Sequence, residues 1–135
     1  MATVVYNDAS VVLNSVDLSD HVKSVTLNYA AEMLDDTAMG DNTRSRKGGL
    51  KDWSIDISFH QDYAASEVDA TLFSLVGSTF TCVLKPTIGA VSATNPSFSG
   101  TGILESYTPM SGAVGDLEEA PVSIQSASDL TRATS

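Results

Sequence analysis

The chain has 135 residues, 42% of them apolar and 18% charged, with a formal net charge of −10. Those values predict one globular domain that buries its core without disulfides or metal. Seventeen carboxylates against seven cations exclude tight binding of double-stranded DNA, since phosphate neutralisation needs cations, but not DNA that passes without sticking.

From the N-terminus, "MATVVYNDASVVLNSVDLSD" has neither a basic leader region nor a long apolar run, so no signal peptide is expected. No segment approaches the roughly 18 apolar residues of a spanning helix, so the expectation is a soluble protein, made in a cytoplasm, with no membrane partner. "VVLNSVDL" reads as two short strands about an Asn14-Ser15 turn. "HVKSVTLNYAAEM" sets Val25, Leu27 and Tyr29 on one face, with Lys23, Ser24, Thr26 and Asn28 turned away from it. "LDDTAMGDNTRSRKGG", 34–49, has no apolar periodicity and only Met39 as an apolar anchor, which predicts a long loop that stays mobile until bound.

"DWSIDISFHQD" gives the clearest strand. Trp53, Ile55, Ile57 and Phe59 face one way, and Ser54, Asp56, Ser58 and His60 the other, so one side is buried and one is wet. "SEVDATLFSLVG" predicts a single helix over about 66–76: Ser66 caps it, Glu67 and Asp69 load its first turn, and Gly77 stops it. Val68, Leu72, Leu75 and Val76 form its apolar face. Strands follow in "TFTCVLK", "GTGILESYT" and "APVSIQSA", joined by the loops "PTIGAVSATNPSFSG" and "TPMSGAVGDLEEA". Cys82, the lone cysteine, sits in strand-like apolar company and reads as a small core hydrophobe rather than a nucleophile.

Reactive constellations were sought by spacing. Neither His21 nor His60 has a carboxylate or cysteine at a metal-ligand spacing that repeats on the other, which predicts no metal site. Asp35, Asp36 and Asp41 lack calcium-loop spacing. There is no Gly-x-Ser-x-Gly elbow, "GTGILE" lacks the third glycine of a dinucleotide fingerprint, and "RSRKGGLK" matches a phosphate loop in composition alone. Trp53, Phe59, Phe73 and Phe80 fall on core positions, not on a nucleic-acid stacking platform. The expectation is a protein that is not an enzyme and takes no cofactor.

What stands out is charge distribution. "NTRSRKGGLKDW" holds Arg44, Arg46, Lys47 and Lys51, four of the seven cations. A solvated loop accounts for this on charge alone. Segregating cations on one arm of an acidic molecule also builds complementary surfaces, suited to head-to-tail contact between copies.

The run from "DTAMGDNTRSRKGGLKDW" through "FHQDYAA" to "VDATLFSLVG", followed by "TPMSGAVGDLEEAPVSI", resembles the major tail tube proteins of long noncontractile-tailed bacteriophages, those of actinobacteria in particular. The likeness spans roughly 17–133; the Gly48-Gly49 doublet departs from it, where a single glycine is expected. The resemblance implies a mainly β fold, a β-sandwich or half-barrel with one flanking helix. It implies six-fold rings stacked into a tube that surrounds a tape-measure protein, ends at a tail terminator and conducts genomic DNA. It further implies residence in the virion after assembly in the host bacterial cytoplasm, and a long loop that reaches adjacent subunits. Arg44, Arg46, Lys47 and Lys51 would then meet a neighbour's carboxylates, while Asp56, Ser58 and His60, with the polar side of the preceding strand, would face the lumen. A capsid decoration or head–tail connector protein of similar small β fold is the alternative.

Overall fold

The computed structural model describes residues 9–134. Its elements are β1 (Ser10–Leu13), β2 (Val16–Asp17), a 3-10 turn (Ser19–His21), β3 (Val22–Asp35), β4 (Arg46–His60), α1 (Val68–Leu72) running into a 3-10 turn (Phe73–Leu75), β5 (Thr79–Lys85), β6 (Ser97–Tyr107), β7 (Glu119–Ser126) and β8 (Thr131–Ala133). All pair antiparallel in one sheet of order β2-β1-β5-β6-β7-β4-β3, with β8 on the start of β6.

Alternation explains the core. Trp53, Ile55, Ile57 and Phe59 of β4 are buried, and β7 sets Ala120, Val122 and Ile124 beside them in register. Val11 and Leu13 of β1, Phe80, Cys82 and Leu84 of β5, and Leu104 of β6 complete the apolar side. The sheet curls so that Leu84 and Phe98 face Val25, Leu27 and Tyr29 of β3 across a cavity of about 400 Å3. This mainly β chain, one antiparallel sheet with one short helix, has the fold class that the resemblance implies, a β-sandwich or half-barrel with one flanking helix. Asn14 and Ser15, at φ 52° and 66°, make the predicted turn in the left-handed conformation that a two-residue hairpin requires.

Three elements differ from expectation. The long loop is short: β3 and β4 pair out to Asp35 opposite Arg46, leaving only 36–45 as connection. The helix is also shorter. Ser66 lies at φ +64° and Glu67 is the N-cap, so regular helix begins at Val68 and tightens after Leu72. Val68 and Leu72 are buried as expected, but Val76 is half-exposed and forms a bridge to Leu104 instead of belonging to the helix. Gly77, at φ 79°, is the stop. Finally, β8 lies in a stretch where the sequence predicts no strand.

Polar groups tie the helix down. The Tyr107 hydroxyl donates to Asp69 at 2.9 Å and accepts from Gln61 Nε2 at 2.9 Å. Burial first, with Asp69 adding to it, pushes the Tyr107 phenol up to about 12.

Candidate assembly interface

β7 pairs with β4 only from Ser54 to His60. Beyond Trp53 opposite Tyr29, β3 and β4 continue alone as a two-stranded ribbon. The six residues from Ala30 to Asp35 carry it about 20 Å past the sheet, at ~3.4 Å per residue. Every residue from 32 to 48 is exposed, so both faces of the ribbon are in solvent. An isolated hairpin is marginal in water, and an exposed one with apolar side chains invites a partner. This one carries Met33 and Leu34, each about half-exposed, Leu50 at 82% exposure and a fully exposed Met39 at its turn.

The ribbon is nonetheless internally built. Ser45 donates its N–H to Thr37 Oγ1 at 2.7 Å, Asp36 donates to the Ser45 carbonyl at 2.9 Å, and Ala38 donates to Asp41 Oδ2 at 2.8 Å. Hydrogen bonds from Thr37, with Arg44 adding to them, hold the Asp35 carboxyl below its usual range. This order leaves no apolar signal in the sequence because the stabilising groups are short polar side chains.

At Gly48-Gly49 the ladder shifts register: Ala31 opposes Lys51, whereas Met33 opposes Gly48. Gly49 and Leu50 together therefore oppose Glu32, a β-bulge. A side chain at Gly49 would crowd Glu32 Cβ and Leu34 Cδ1, both at 3.3 Å. The second glycine gives the ladder room to slip by one residue.

Of the four cations, Arg44 lies in the connection and Arg46, Lys47 and Lys51 on β4. Arg44 Nη1 pairs with Asp35 Oδ2 at 2.9 Å and Lys47 Nζ approaches Asp36 Oδ2 at 3.9 Å. Two of the four thus meet carboxylates of their own ribbon. Arg46 and Lys51 make no ion pair among the described residues.

The polar side of the root sheet is a continuous surface. Thr26, Asp56 and Ser123 lie abreast on three strands, as do Ser24, Ser58 and Pro121, and Ser106 of β6 adjoins Ser123. They line a shallow depression of about 290 Å3. Asp56 is exposed and Ser58 half-buried. His60 is half-buried too, and its Nδ1 has no hydrogen-bond partner among the described residues. Lys23 bonds to Glu119, which opposes His60 and whose carboxyl that lysine holds below its usual range. Glu105 accepts from Gln125 at 2.6 Å. Ser24, Thr26 and Asn28 share the polar side of Asp56, Ser58 and His60 by register, the irregularity between Val22 and Ser24 brings Lys23 to Glu119 on that side, and carboxylates dominate its charge.

A mainly β chain of one antiparallel sheet with one short helix matches the fold of tail tube proteins. No protein-family model and no curated protein matches this sequence. Among solved structures the chain is similar to the SPP1 tail tube, with TM-score 0.76 and 13% identity over 98% of this chain and 80% of that one. It is similar to a chain of the virion of a native gene transfer agent particle, with TM-score 0.68 and 17% identity over 93% and 95% of the two. The tail of an empty gene transfer agent particle, solved with C6 symmetry, gives TM-score 0.60 and 17% identity over 82% and 81%.

Proposed function

We propose that this chain is the repeating subunit of a phage tail tube of the long noncontractile type, a structural and non-catalytic protein of the virion. Copies form six-fold rings, the rings stack, and the β3–β4 ribbon of each copy lies on a neighbour. The observation that carries this reading is the ribbon: a built, solvent-bathed arm bearing Met33, Leu34 and Leu50 beside Arg46 and Lys51, which form no ion pair among the described residues. The outer edge of β3, unpaired in the sheet order, offers backbone donors and acceptors to a second chain along the same side. The tail solved with C6 symmetry, similar in fold, supports the six-fold ring.

The polar face of β3, β4 and β7 lines the lumen. Its carboxylates repel phosphate, so DNA slides through without binding. A tape-measure protein occupies the same lumen during assembly, and a terminator closes the tube.

Electron microscopy of purified protein at high concentration tests the reading. Tubes or stacked six-fold rings are expected. A closed oligomer that never stacks would point to a decoration or connector protein, and persistent monomers would remove the assembly reading.

A further inference from the structure

Sequence spacing predicts no metal site, yet folding brings the adjacent pair Asp20-His21 together with the distant Asp62 and Glu67. Asp20 and His21 end the 3-10 turn that follows buried Leu18, Asp62 lies just after β4, and Glu67 caps α1. His21 Nε2 is 2.6 Å from Glu67 Oε2, 3.5 Å from Asp62 Oδ2 and 3.6 Å from Asp20 Oδ1. The donor atoms of Asp20, His21 and Glu67 all lie within 4.8 Å of one another.

We propose that His21, Asp20 and Glu67, with Asp62 as fourth donor, bind one divalent transition-metal cation of the zinc type. Ligands at 2.0–2.2 Å from a tetrahedral ion stand roughly 3.3–3.6 Å from each other. The His21–Asp62 and His21–Asp20 separations already match that edge. Glu67 must withdraw by somewhat under an ångström to reach that edge, and Asp62 must swing toward the other two carboxylates as the ion seats.

The scaffold is set before any ion arrives. Ser19 Oγ accepts from Val11 N at 2.8 Å, which fixes the 3-10 turn on β1, and His21 N donates to the Leu18 carbonyl at 3.1 Å. Asp62 Oδ1 accepts from Ala64 N at 2.9 Å, leaving Oδ2 turned to His21. Charge favours the ion as well. Three carboxylates surround one imidazole, and no Lys or Arg pairs with any of them among the described residues. A proton on His21 offsets one charge; a divalent cation offsets two. An imidazole nitrogen in the set selects zinc-like ions over magnesium or calcium, which take oxygen ligands. The His21 side chain is 19% exposed and that of Asp20 80%, so the site is closed on the protein side and open to solvent through Asp20. The ion would staple the β2–β3 connection to the start of α1.

Calorimetric titration of the full chain, stripped with chelator, with Zn2+ alone tests this. One equivalent should bind, excess Mg2+ should not displace it, and affinity should fall on acidification because the imidazole must be deprotonated. Glu67→Gln and Asp62→Asn should each weaken binding at least tenfold, and His21→Gln more, while Asp41→Asn changes nothing. Glu67→Gln keeps a hydrogen-bonding side chain beside His21, so it tests the site even if His21→Gln fails to fold. No binding, or weak multiple binding that Glu67→Gln and Asp62→Asn leave unaltered, would overturn the proposal. The cluster would then only pin α1 to its neighbour by the His21–Glu67 hydrogen bond.

Discussion

Gly102 lies directly against Trp53: a side-chain methyl there would stand 3.3 Å from the indole Cη2 and 2.6 Å from Ile124 Cγ2. A methyl on Gly100 would stand closer to the ring still, 2.9 Å from Cζ2. The two glycines of β6 make the slot for the indole, whose N–H donates to the Ser128 carbonyl at 2.7 Å. Trp53 thereby links β4 to the chain beyond β7, at the point where the ribbon leaves the sheet.

Gly102→Ala should overpack that slot and cost about 1–3 kcal/mol. Gly48→Ala, where a methyl meets nothing within 4 Å, should cost no more than about 0.5 kcal/mol. Urea unfolding of both variants measures this, and equal losses would refute the packing argument.

Cys82 provides a pH test. Burial pushes its thiol up to about 11 from an ordinary 9.0, because the thiolate would lose its solvation. Folding therefore favours the protonated form. That contribution is complete below about pH 9 and is lost as pH rises through about 11. A thiol reagent at pH 8 should react with Cys82 only on unfolding, and stability should decline between those two values. Immediate labelling of native protein would contradict the buried position of the side chain.

The apolar residues of the ribbon should matter to assembly and not to the subunit. Met33→Ser with Leu50→Ser touches no core contact, so monomer stability should shift by no more than about 0.5 kcal/mol. Sedimentation should nevertheless show assembly lost or greatly weakened. Normal tubes from the double variant would mean that the ribbon is not the contact.

Among the cations, Arg46 and Lys51 should outweigh Arg44. The Arg44–Asp35 pair is exposed and stabilises the ribbon little, but it already engages that charge within the ribbon. Arg46→Glu with Lys51→Glu should impair association more than Arg44→Glu, and higher salt should narrow the gap by screening. Sedimentation at low and high salt makes the comparison. Indifference of all three to salt would leave the cluster as solvated charge.

Much of the root of the fold is legible from alternation, because Trp53, Ile55, Ile57 and Phe59 need a dry side and their neighbours tolerate water. The same rule hides the ribbon. Where both faces are wet, nothing apolar has to alternate, so β3 beyond Tyr29 and β4 before Trp53 read as loop. The three residues of β8 carry no apolar period either. The helix was over-extended because Ser66 suits a cap by residue type, whereas the chain reverses through it at positive φ and passes the cap to Glu67. The histidine cluster was hidden by distance, since Glu67 stands 46 positions from His21 and no spacing rule reaches so far.

The slipped register at Gly49 and Leu50 acts as a change of phase in the strand. Counting by twos back from Trp53 would put Lys47 on the side that continues the core and Arg46 on the wet side. In the molecule Arg46 opposes Asp35 and Lys47 opposes Leu34, so the two have traded sides. A chain with one glycine at this point would keep a single phase from root to tip and would turn each cation the other way. One small residue thus decides which neighbour in an array would meet the arginine and which the lysine.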